Sequence, residues 1–384
     1  MRVLIVGAGP TGLTAGVELA RKGVHVEIID QKSEPSKFSR AVGILPSSLS
    51  VLTPSGVTNN LLEEGIRIQE VRVFSGTRKT LSLSLKGGHS GRDYVIALAQ
   101  NRTEDILRST FIKYGGSVTY GKKFVSLVQH TERIIIGTSD GCENEYDIVI
   151  GADGIKSRTR ECLGIEYQGF DLPETWSIAD VDVNNWLNKG VFTISLLNGG
   201  RVVVVVPLEE DRFRVISNTE DALATLPLPM NVINKHREGK FNISIRQASY
   251  YGMGRVFLAG DAAHCHSPVG GRGMNLGISD AAELASCITT NQLNRYRVSR
   301  HLVGSNTIAA SERARRILTS DNHLTRRMII TACHSINLFQ FLQRPFARVI
   351  LDGYYKVPSF TFTLQCFWIF LTIVYISLHL LRHV

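Results

Sequence analysis

Residues 1–30 read MRVLIVGAGPTGLTAGVELARKGVHVEIID, and this stretch decides the class of fold. Residues 3–6 are apolar and mostly β-branched, which is typical of a strand buried on both faces of a parallel sheet. Residues 13–23 then predict a helix that ends at Gly23, and residues 24–30 predict a second strand that ends at Asp30. Strand, helix and strand in this order indicate an α/β fold with a parallel sheet.

The turn between the first strand and the helix has the spacing GxGxxG. Its first glycine allows a tight turn, its second lets a pyrophosphate approach backbone N–H groups, and its third allows close packing of helix on strand. Asp30 follows the third glycine by 18 residues, where it could accept hydrogen bonds from an adenosine ribose. The segment therefore predicts a site for the ADP half of a dinucleotide. The loop residues predicted to form it are Gly7, Gly9, Pro10, Thr11 and Gly12.

Two further segments place glycines after an apolar run. YDIVIGADGIKSRTR, residues 146–160, leads into Asp153 and Gly154 and then a basic loop. Taken alone, it is equally consistent with an ordinary turn, because Asp-Gly is a common turn pair. GRVFLAGDAAHCHSPVGGRGMNLG, residues 254–277, leads into Gly260 and Asp261 and then a glycine-rich loop. Because each glycine costs backbone entropy on folding, such a loop predicts that a ligand approaches the main chain closely.

Taken in order, GAGPTG, GADGIKSR and GRVFLAGDAAHCHSPVGGRGMN resemble the FAD-dependent single-component aromatic hydroxylases, the family of p-hydroxybenzoate hydroxylase and the phenol hydroxylases. The resemblance covers roughly residues 1–300 and includes FSRAVGILPSSLSVL (38–52) and ALAQNRTEDIL (97–107). It implies an α/β protein in which a Rossmann-like FAD-binding domain carries an inserted, mainly β substrate domain and is followed by C-terminal helices.

The resemblance also assigns roles to individual residues. Asp261 would bind the ribityl hydroxyls of FAD, and Arg40 would contact FAD and also meet the nicotinamide donor. The loop from Pro268 to Gly273 would lie along the flavin ring and open a helix near Met274, so that its N–H groups stabilise the anionic reduced ring. The flavin-facing loop residues are Pro268, Gly270, Gly271 and Gly273. The residues matched to FAD contacts also include Gln100, Asp153, Gly154, Gly260, Gly273, Met274 and Asn275. Asp153 and Gly154 are implicated in binding the nicotinamide donor as well.

The activity implied is that of an FAD-dependent monooxygenase. NADPH or NADH would bind transiently, without a Rossmann domain of its own, and would reduce FAD. Oxygen would then be transferred through a flavin C4a-hydroperoxide to an aromatic or hydrophobic small molecule. Tyr250 and Tyr251 are candidates for a base but carry no signature, so the catalytic residues stay unassigned. Two alternatives remain open: a flavin-dependent reductase or epoxidase acting on an isoprenoid-type lipid, and a catalytically silent flavin-binding protein.

The expected domain organisation is discontinuous. Residues 71–85 alternate apolar and polar, and residues 191–217 predict strands joined by turns at 198–200 and 209–211. The predicted division is an FAD-binding domain (1–70, 95–168, 251–295), a substrate-binding β-sheet domain (71–94, 169–250), a basic helical region (296–356) and a transmembrane helix (360–381).

No metal site is expected. His264, Cys265 and His266 are adjacent, so their donors cannot easily converge on one ion. The six cysteines are scattered and form no CxxC pair, which argues against both a disulfide framework and a zinc ribbon.

The last quarter of the chain carries the charge excess and the most apolar segment. From residue 291 onward there are twelve Lys or Arg and three acids, which accounts for the whole net charge of +9. Residues 360–381 contain no charge and, as a helix, would extend about 33 Å at roughly 1.5 Å per residue. We therefore expect a single C-terminal pass with the catalytic domain on the cytoplasmic side, because the basic residues precede the span. A buried or interface-lying helix is the alternative. The basic surface is interpreted as facing a membrane and not nucleic acid.

Overall fold

A computed structural model describes residues 1–36, 41–86 and 91–352. The chain divides into two compact units that interleave along the sequence. The first unit consists of Met1–Arg67, Val95–Thr175 and Phe241–Arg313. The second consists of Ile68–Tyr94, Trp176–Lys240 and the chain from Ala314 onward. The domain division predicted from the sequence remains a proposal.

The strands of the described residues are β1 (Arg2–Val6), β2 (His25–Asp30), β3 (Gly43–Ile44), β4 (Ile66–Ile68), β5 (Glu70–Ser75), β6 (Arg78–Ser84), β7 (Val95–Ala97), β8 (Ser117–Tyr120), β9 (Phe124–Gln129), β10 (Ile134–Thr138), β11 (Glu143–Tyr146), β12 (Ile148–Gly151), β13 (Tyr167–Asn184), β14 (Phe192–Leu196), β15 (Val202–Pro207), β16 (Arg212–Ser217), β17 (Asn231–Ala248), β18 (Gly252–Met253), β19 (Val256–Leu258) and β20 (His264–Cys265).

The helices of the described residues are α1 (Pro10–Ala20), α2 (Pro46–Leu52), α3 (Val57–Glu64), α4 (Gln100–Lys113), α5 (Arg158–Cys162), α6 (Ala222–Thr225), α7 (Gly273–Thr289), α8 (Leu293–Leu318), α9 (His323–Leu338) and α10 (Gln340–Asp352). Two 3₁₀ turns occur among the described residues, at Thr53–Ser55 after α2 and at Gly260–Ala262 between β19 and β20.

The first unit is built on a sheet with the strand order β18-β19-β12-β1-β2-β8. All neighbours pair in parallel except β18 and β19. In the centre, Val3 lies opposite Ile148 on one side and Val26 on the other. The apolar residues of β1 are buried, as expected for a parallel strand covered on both faces. The predicted α/β class is confirmed.

Helix α1 packs closely on this sheet because it carries glycine at the contact. A Cβ added at Gly16 would lie 2.8 Å from Cδ1 of Ile28 on β2 and 3.0 Å from the Phe111 ring on α4. A Cβ would have to displace these side chains, so glycine at position 16 lets α1 pack closely between β2 and α4.

The second unit is built on a sheet in which β13, β16, β15, β14, β5 and β6 are neighbours in that order. Only β14 and β5 pair in parallel. The predicted turns at 198–200 and 209–211 are confirmed, because they connect β14 to β15 and β15 to β16. Gly199 and Gly200 both have positive φ, at 68° and 67°. One face of the sheet buries an apolar core that includes Val181, Val203 and Phe213.

The opposite face of this sheet buries an ion pair. Asp180 on β13 and Arg214 on β16 are cross-strand neighbours, joined by two hydrogen bonds of 2.7 Å. The Arg214 side chain is only 2% exposed. The next cross-strand pair, Asp182 and Arg212, repeats the contact at 2.8 Å in a half-exposed position. Paired charges therefore line this face of the sheet.

The helices after the first unit's sheet correct one prediction. Helix α8 has 26 residues but carries Arg in both its first and last turns, α9 has 16 residues, and α10 has 13 residues with Pro345 inside it. Within residues 1–36, 41–86 and 91–352, no helix has both the length and the apolar character that a membrane crossing requires. The predicted span at 360–381 lies outside the described residues. On this finding we correct the predictions of a transmembrane helix, a membrane partner and a membrane localisation with a single C-terminal pass.

Removing only one member of the buried ion pair should be costly. Arg214→Met leaves the Asp180 carboxylate buried without its bidentate partner, and we expect the free energy of unfolding to fall by about 3–5 kcal/mol. The double variant Asp180→Val/Arg214→Met removes both charges and should recover most of that loss. Chemical denaturation of the three proteins measures this. A double variant that is no more stable than Arg214→Met would contradict the expectation.

Candidate flavin-binding site

The first glycine turn has the shape expected of a phosphate-binding loop. Gly7 has φ of 107°, and a Cβ at this position would lie 2.3 Å from the carbonyl oxygen of Ala152. A Cβ at Gly12 would lie 1.9 Å from the carbonyl oxygen of Gly7. Both glycines are therefore required by the close approach of the chain to itself.

Gly9 differs, because a Cβ there would meet no described atom within 4 Å. Gly9 caps α1, and no side chain of the described residues accepts a hydrogen bond from this helix end. Pro10 has no N–H, so Thr11 and Gly12 supply the first N–H groups of α1, at a helix end that can hold an anion. Asp30 lies at the same turn, where its carboxylate accepts hydrogen bonds from the N–H groups of Ala8 (2.8 Å) and Lys32 (2.9 Å). Gly9, Asp30 and the start of α1 are brought together as predicted.

Asp153 is engaged within its own loop. One carboxylate oxygen accepts a hydrogen bond from the Ser157 hydroxyl (2.5 Å), and the other accepts one from the N–H of Thr159 (2.9 Å). Ser157 in turn caps α5, and Gly154 makes the turn with φ of 80°. Asp153 therefore shapes the loop, and its predicted contact with FAD or the nicotinamide donor stays a prediction.

Arg160 joins this loop to the Gly260–Asp261 turn. Its buried guanidinium donates hydrogen bonds to the carbonyl oxygens of Ile155 (2.8 Å) and Ala262 (2.9 Å). It also lies 3.8 Å from the centre of the Tyr167 ring, whose hydroxyl donates to the carbonyl oxygen of Asp261 (2.9 Å). The main chain at residues 261–262 is thus fixed by Arg160 and Tyr167, while the Asp261 side chain is exposed.

Gly260 lies against α1. It has φ of 62°, and a Cβ there would lie 2.4 Å from the hydroxyl oxygen of Thr11. A Cβ at Gly277 on α7 would lie 2.2 Å from the same oxygen. Thr11 therefore fills a space that two glycines leave free, and this contact joins the phosphate-binding turn to the turn that carries Asp261.

The second glycine-rich loop leads into α7. Gly270 and Gly271 have φ of 90° and 60°, and a Cβ at Gly271 or Gly273 would meet no described atom within 4 Å. Pro268 accepts a hydrogen bond from the N–H of Gly271 (2.9 Å), which closes the loop. Helix α7 begins at Gly273, and within the described part of the chain no side chain caps it and no acid lies in its first turn. Its free N–H groups suit an anionic ring.

Asn275 positions this loop, because all of its hydrogen-bonding capacity is used inside the chain. Its oxygen accepts from the N–H of Leu45 and the hydroxyl of Ser48, both at 2.8 Å. Its nitrogen donates to the carbonyl oxygens of Gly43 (2.8 Å) and Gly271 (2.9 Å). Asn275, which is 1% exposed, thus connects β3 and α2 to the flavin-facing loop. The neighbouring Met274 is also buried.

The remaining predicted residues are Gln100, Arg40 and the two tyrosines considered as bases. Gln100 begins α4, and its side-chain oxygen accepts a hydrogen bond from the N–H of Ala41 (3.3 Å). Arg40 lies outside the described residues. Tyr250 is exposed, whereas Tyr251 is buried with its hydroxyl oxygen accepting from Gln247 (3.1 Å), and burial raises its pKa. Neither tyrosine is thereby assigned as a base.

The His264–His266 segment has a different role from the metal cluster considered above. His264 contacts the fully buried Asp280 at 2.5 Å, and burial raises the pKa of the Cys265 thiol, which therefore stays protonated. Among the described residues, no group of three His, Cys, Asp or Glu could hold a metal ion.

Sequence reasoning missed Asp280 and its second partner Arg300, whose Nε donates to it at 2.7 Å. The signal was present in the periodicity of α7. Leu276, Asp280 and Leu284 share one helix face at a spacing of four, and all three are completely buried. A single carboxylate on an otherwise apolar face predicts a buried charged partner, because an unpaired buried charge is too costly.

The site has two uncapped helix N-termini, the exposed carboxylate of Asp261 and glycines with free space beside them. These features are those of a protein that binds a dinucleotide with a long polar linker and an anionic ring. Residues 1–305 match the family described as FAD binding domain, and the chain belongs to that family. The chain is 32% identical over 331 residues to rifampicin monooxygenase of Streptomyces venezuelae, covering 79% of this chain and 68% of that protein. It is 32% identical over 305 residues to pentachlorophenol 4-monooxygenase of Sphingobium chlorophenolicum, covering 73% of this chain and 57% of that protein.

Among solved structures, p-nitrophenol 4-monooxygenase of Pseudomonas putida is similar in fold. The TM-score is 0.81 at 20% identity, over 92% of this chain and 98% of that one. Together these matches confirm the predicted family, the FAD-binding α/β fold with C-terminal helices, and FAD as the cofactor. They also confirm the assignment to the flavin-dependent monooxygenases at the level of the family. The chain spans between about half and two thirds of the length of these two curated relatives.

Gly9 and Gly12 of the first turn should respond differently to replacement by alanine. Gly9→Ala places a methyl group in open space at φ of −80°, so the fold should keep its stability. The methyl group would nevertheless occupy the position where a phosphate approaches, and we expect the dissociation constant for FAD to rise at least about tenfold. Titration of the apoprotein with FAD measures the change.

Gly12→Ala is the matched comparison. Its methyl group would collide with the carbonyl oxygen of Gly7, so it should lower the unfolding temperature of the apoprotein. Unchanged FAD affinity in Gly9→Ala would contradict the assignment of this turn.

His266 should make stability depend on pH. Burial lowers the pKa of His266 to about 4, and its Nδ1 donates to the carbonyl oxygen of Ser267 at 2.8 Å. The unfolded chain, with a histidine pKa near 6.5, binds a proton at a higher pH than the folded chain does. Stability is therefore lost as the pH falls from about 6.5 towards 4. Between pH 7 and pH 5, the wild-type protein should lose about 2 kcal/mol more than His266→Gln does. Denaturation at both pH values measures this, and equal losses would contradict it.

Proposed function

We propose that the whole protein is a monooxygenase that uses FAD, NADPH or NADH, and O₂ to hydroxylate an aromatic or hydrophobic small molecule. The observation that carries this proposal is the interlock of Thr11 with Gly260 and Gly277. It joins the anion-binding start of α1 to the Asp261 turn and to α7, which are the parts that a flavin dinucleotide needs. Bound FAD would supply the redox chemistry, by accepting a hydride from the nicotinamide and activating O₂.

The residues that would hold FAD divide along the cofactor. The N–H groups at Gly9 and the first turn of α1 suit the pyrophosphate, and the Asp30 carboxylate suits the adenosine ribose. Asp261, with its exposed carboxylate, can accept hydrogen bonds from two ribityl hydroxyls. Gly271, Gly273 and the positive end of α7 would lie against the ring, where they would favour its anionic reduced form.

The substrate class follows from the relatives. One acts, by its name, on pentachlorophenol and another on rifampicin. We therefore propose that this protein acts on an aromatic ring, a phenol in the first instance, since an electron-donating hydroxyl activates a ring towards oxygen transfer. No side chain is assigned as the base for such a phenol. The reductase and the silent flavoprotein are less well supported, because both relatives are named monooxygenases. The isoprenoid epoxidase is less well supported, because neither name gives an isoprenoid substrate.

The direct test uses the full chain with FAD, NADPH or NADH, and a panel of phenols. We expect NAD(P)H oxidation, O₂ consumption and a product heavier by one oxygen atom. Reduction of a double bond without O₂ consumption would instead identify a reductase. A protein that takes up FAD but oxidises no nicotinamide with any member of the panel would contradict the monooxygenase proposal.

Asp261→Ala tests the assignment of the ribityl contact. Loss of a charged hydrogen-bond acceptor should raise the dissociation constant for FAD by about ten- to a hundredfold and yield colourless protein. Asp171→Ala is a matched control, because it removes an exposed carboxylate of the same unit that pairs with Arg246. The control should stay yellow. Normal flavin content in Asp261→Ala would refute the role of that residue.

A further inference from the structure

Asp280 is the most completely buried carboxylate of the first unit that has several donors. It lies on α7 with no exposed surface and accepts three hydrogen bonds with its two oxygens. One oxygen accepts from the N–H of Gly260 (3.1 Å) and from Nε2 of His264 (2.5 Å). The other accepts from Nε of Arg300 on α8 (2.7 Å).

Two of these donors are the first and last residues of the turn that carries Asp261. Gly260 and His264 are four residues apart, and Asp280 binds both of them from the side of α7. The strand end just before the turn is held in the same way, because Tyr296 of α8 donates to the carbonyl oxygen of Leu258 (2.7 Å). The main chain around residues 258–264 is therefore held by hydrogen bonds from α7 and α8, whereas Asp261 itself is exposed.

The negative charge of Asp280 fits a role in holding the 260–264 turn better than a role in stabilising the fold. Burial by itself would raise the pKa of Asp280, but the Arg300 charge and the His264 contact hold it below its usual value, so the group is ionised at neutral pH. A buried ion pair adds little net stability compared with apolar residues of the same volume. What it offers is geometry, because a carboxylate is acceptor-only and can receive several N–H groups at once. An asparagine there would turn an NH₂ group towards one of the three donors.

We propose that Asp280, His264 and Arg300 form a positioning set for the flavin, which orients the 260–264 turn so that Asp261 meets the ribityl chain. These residues act through Asp261 and do not touch the cofactor. The inference rests on the proposed flavin site and extends it to residues that the glycine motifs do not include.

The first experiment compares two replacements of His264. His264→Gln retains an N–H donor that can reach Asp280, and His264→Leu has a similar volume without a donor. We expect His264→Leu to raise the dissociation constant for FAD by about ten- to a hundredfold, and His264→Gln by less than about threefold. The His264→Leu apoprotein should unfold at a lower temperature than His264→Gln, because Asp280 loses a buried donor, so FAD binding is compared well below both unfolding temperatures. FAD titration of the apoproteins, followed by flavin fluorescence, gives the constants without substrate or turnover.

The second experiment places the same replacement in an Asp261→Ala background. If His264 acts through Asp261, the two changes are not additive, and His264→Leu should weaken FAD binding by less than about twofold once Asp261 is absent. Glu18→Gln is the matched control, because it neutralises a buried carboxylate of the same unit whose partner is Arg21, just after α1. It should leave the FAD constant unchanged.

The possible results distinguish failure of the positioning role from failure of the proposed function. Equal weakening by His264→Leu and His264→Gln, full additivity with Asp261→Ala, or no effect of either variant would each overturn the positioning role. If His264→Leu does not fold, Asp280→Asn/Arg300→Met, which removes both buried charges, makes the same comparison with Asp261→Ala. A wild-type apoprotein that binds no FAD would reject the proposed function itself, whereas wild-type binding with unaffected variants would reject only this inference.

Discussion

The contact of Thr11 with two glycines is the constraint on which the candidate site depends. Its hydroxyl oxygen lies where a Cβ at Gly260 or Gly277 would be, at 2.4 and 2.2 Å. Any side chain at either glycine would push α1 away from the 260–264 turn or from α7. Because α1 follows the anion-binding turn and α7 follows the flavin-facing loop, this contact helps to set the relative placement of the two uncapped helix ends. The candidate cofactor site thus depends on the absence of a side chain at Gly260 and at Gly277.

Buried polar side chains in the first unit serve mainly to hold main chain. Arg160 binds two carbonyl oxygens, Asn275 binds four groups from three segments, and Asp280 binds both ends of one turn. Such groups must be fully satisfied, since an unmade hydrogen bond in the interior is expensive. Loops rich in glycine have no side chains with which to hold themselves in place, so the surrounding helices supply the donors and acceptors. The second unit, in contrast, directs its buried pair Asp180 and Arg214 at each other.

The sequence predicted the strands, the glycine turns and the family, because these depend on local spacing and on residue types with few alternative uses. It could not distinguish a residue that touches a cofactor from one that shapes the loop beside it. Asp153, Asn275 and Asp261 were all matched to FAD contacts through the family's motifs, yet polar atoms of the first two are occupied by Thr159 and Gly271. That difference arises from partners brought close by folding. The membrane prediction was wrong on the finding that no helix within residues 1–36, 41–86 and 91–352 has both the length and the apolar character of a membrane span.

The interlock also has a consequence for biosynthesis. Thr11 is made first, but Gly277 is added only after more than two hundred further residues. At roughly 5–20 residues per second, the ribosome needs on the order of tens of seconds to supply it. Throughout that interval the emerging amino end has its phosphate turn but neither of the elements that clamp it. Newly made chains should therefore acquire their yellow colour late, only after α7 has been added.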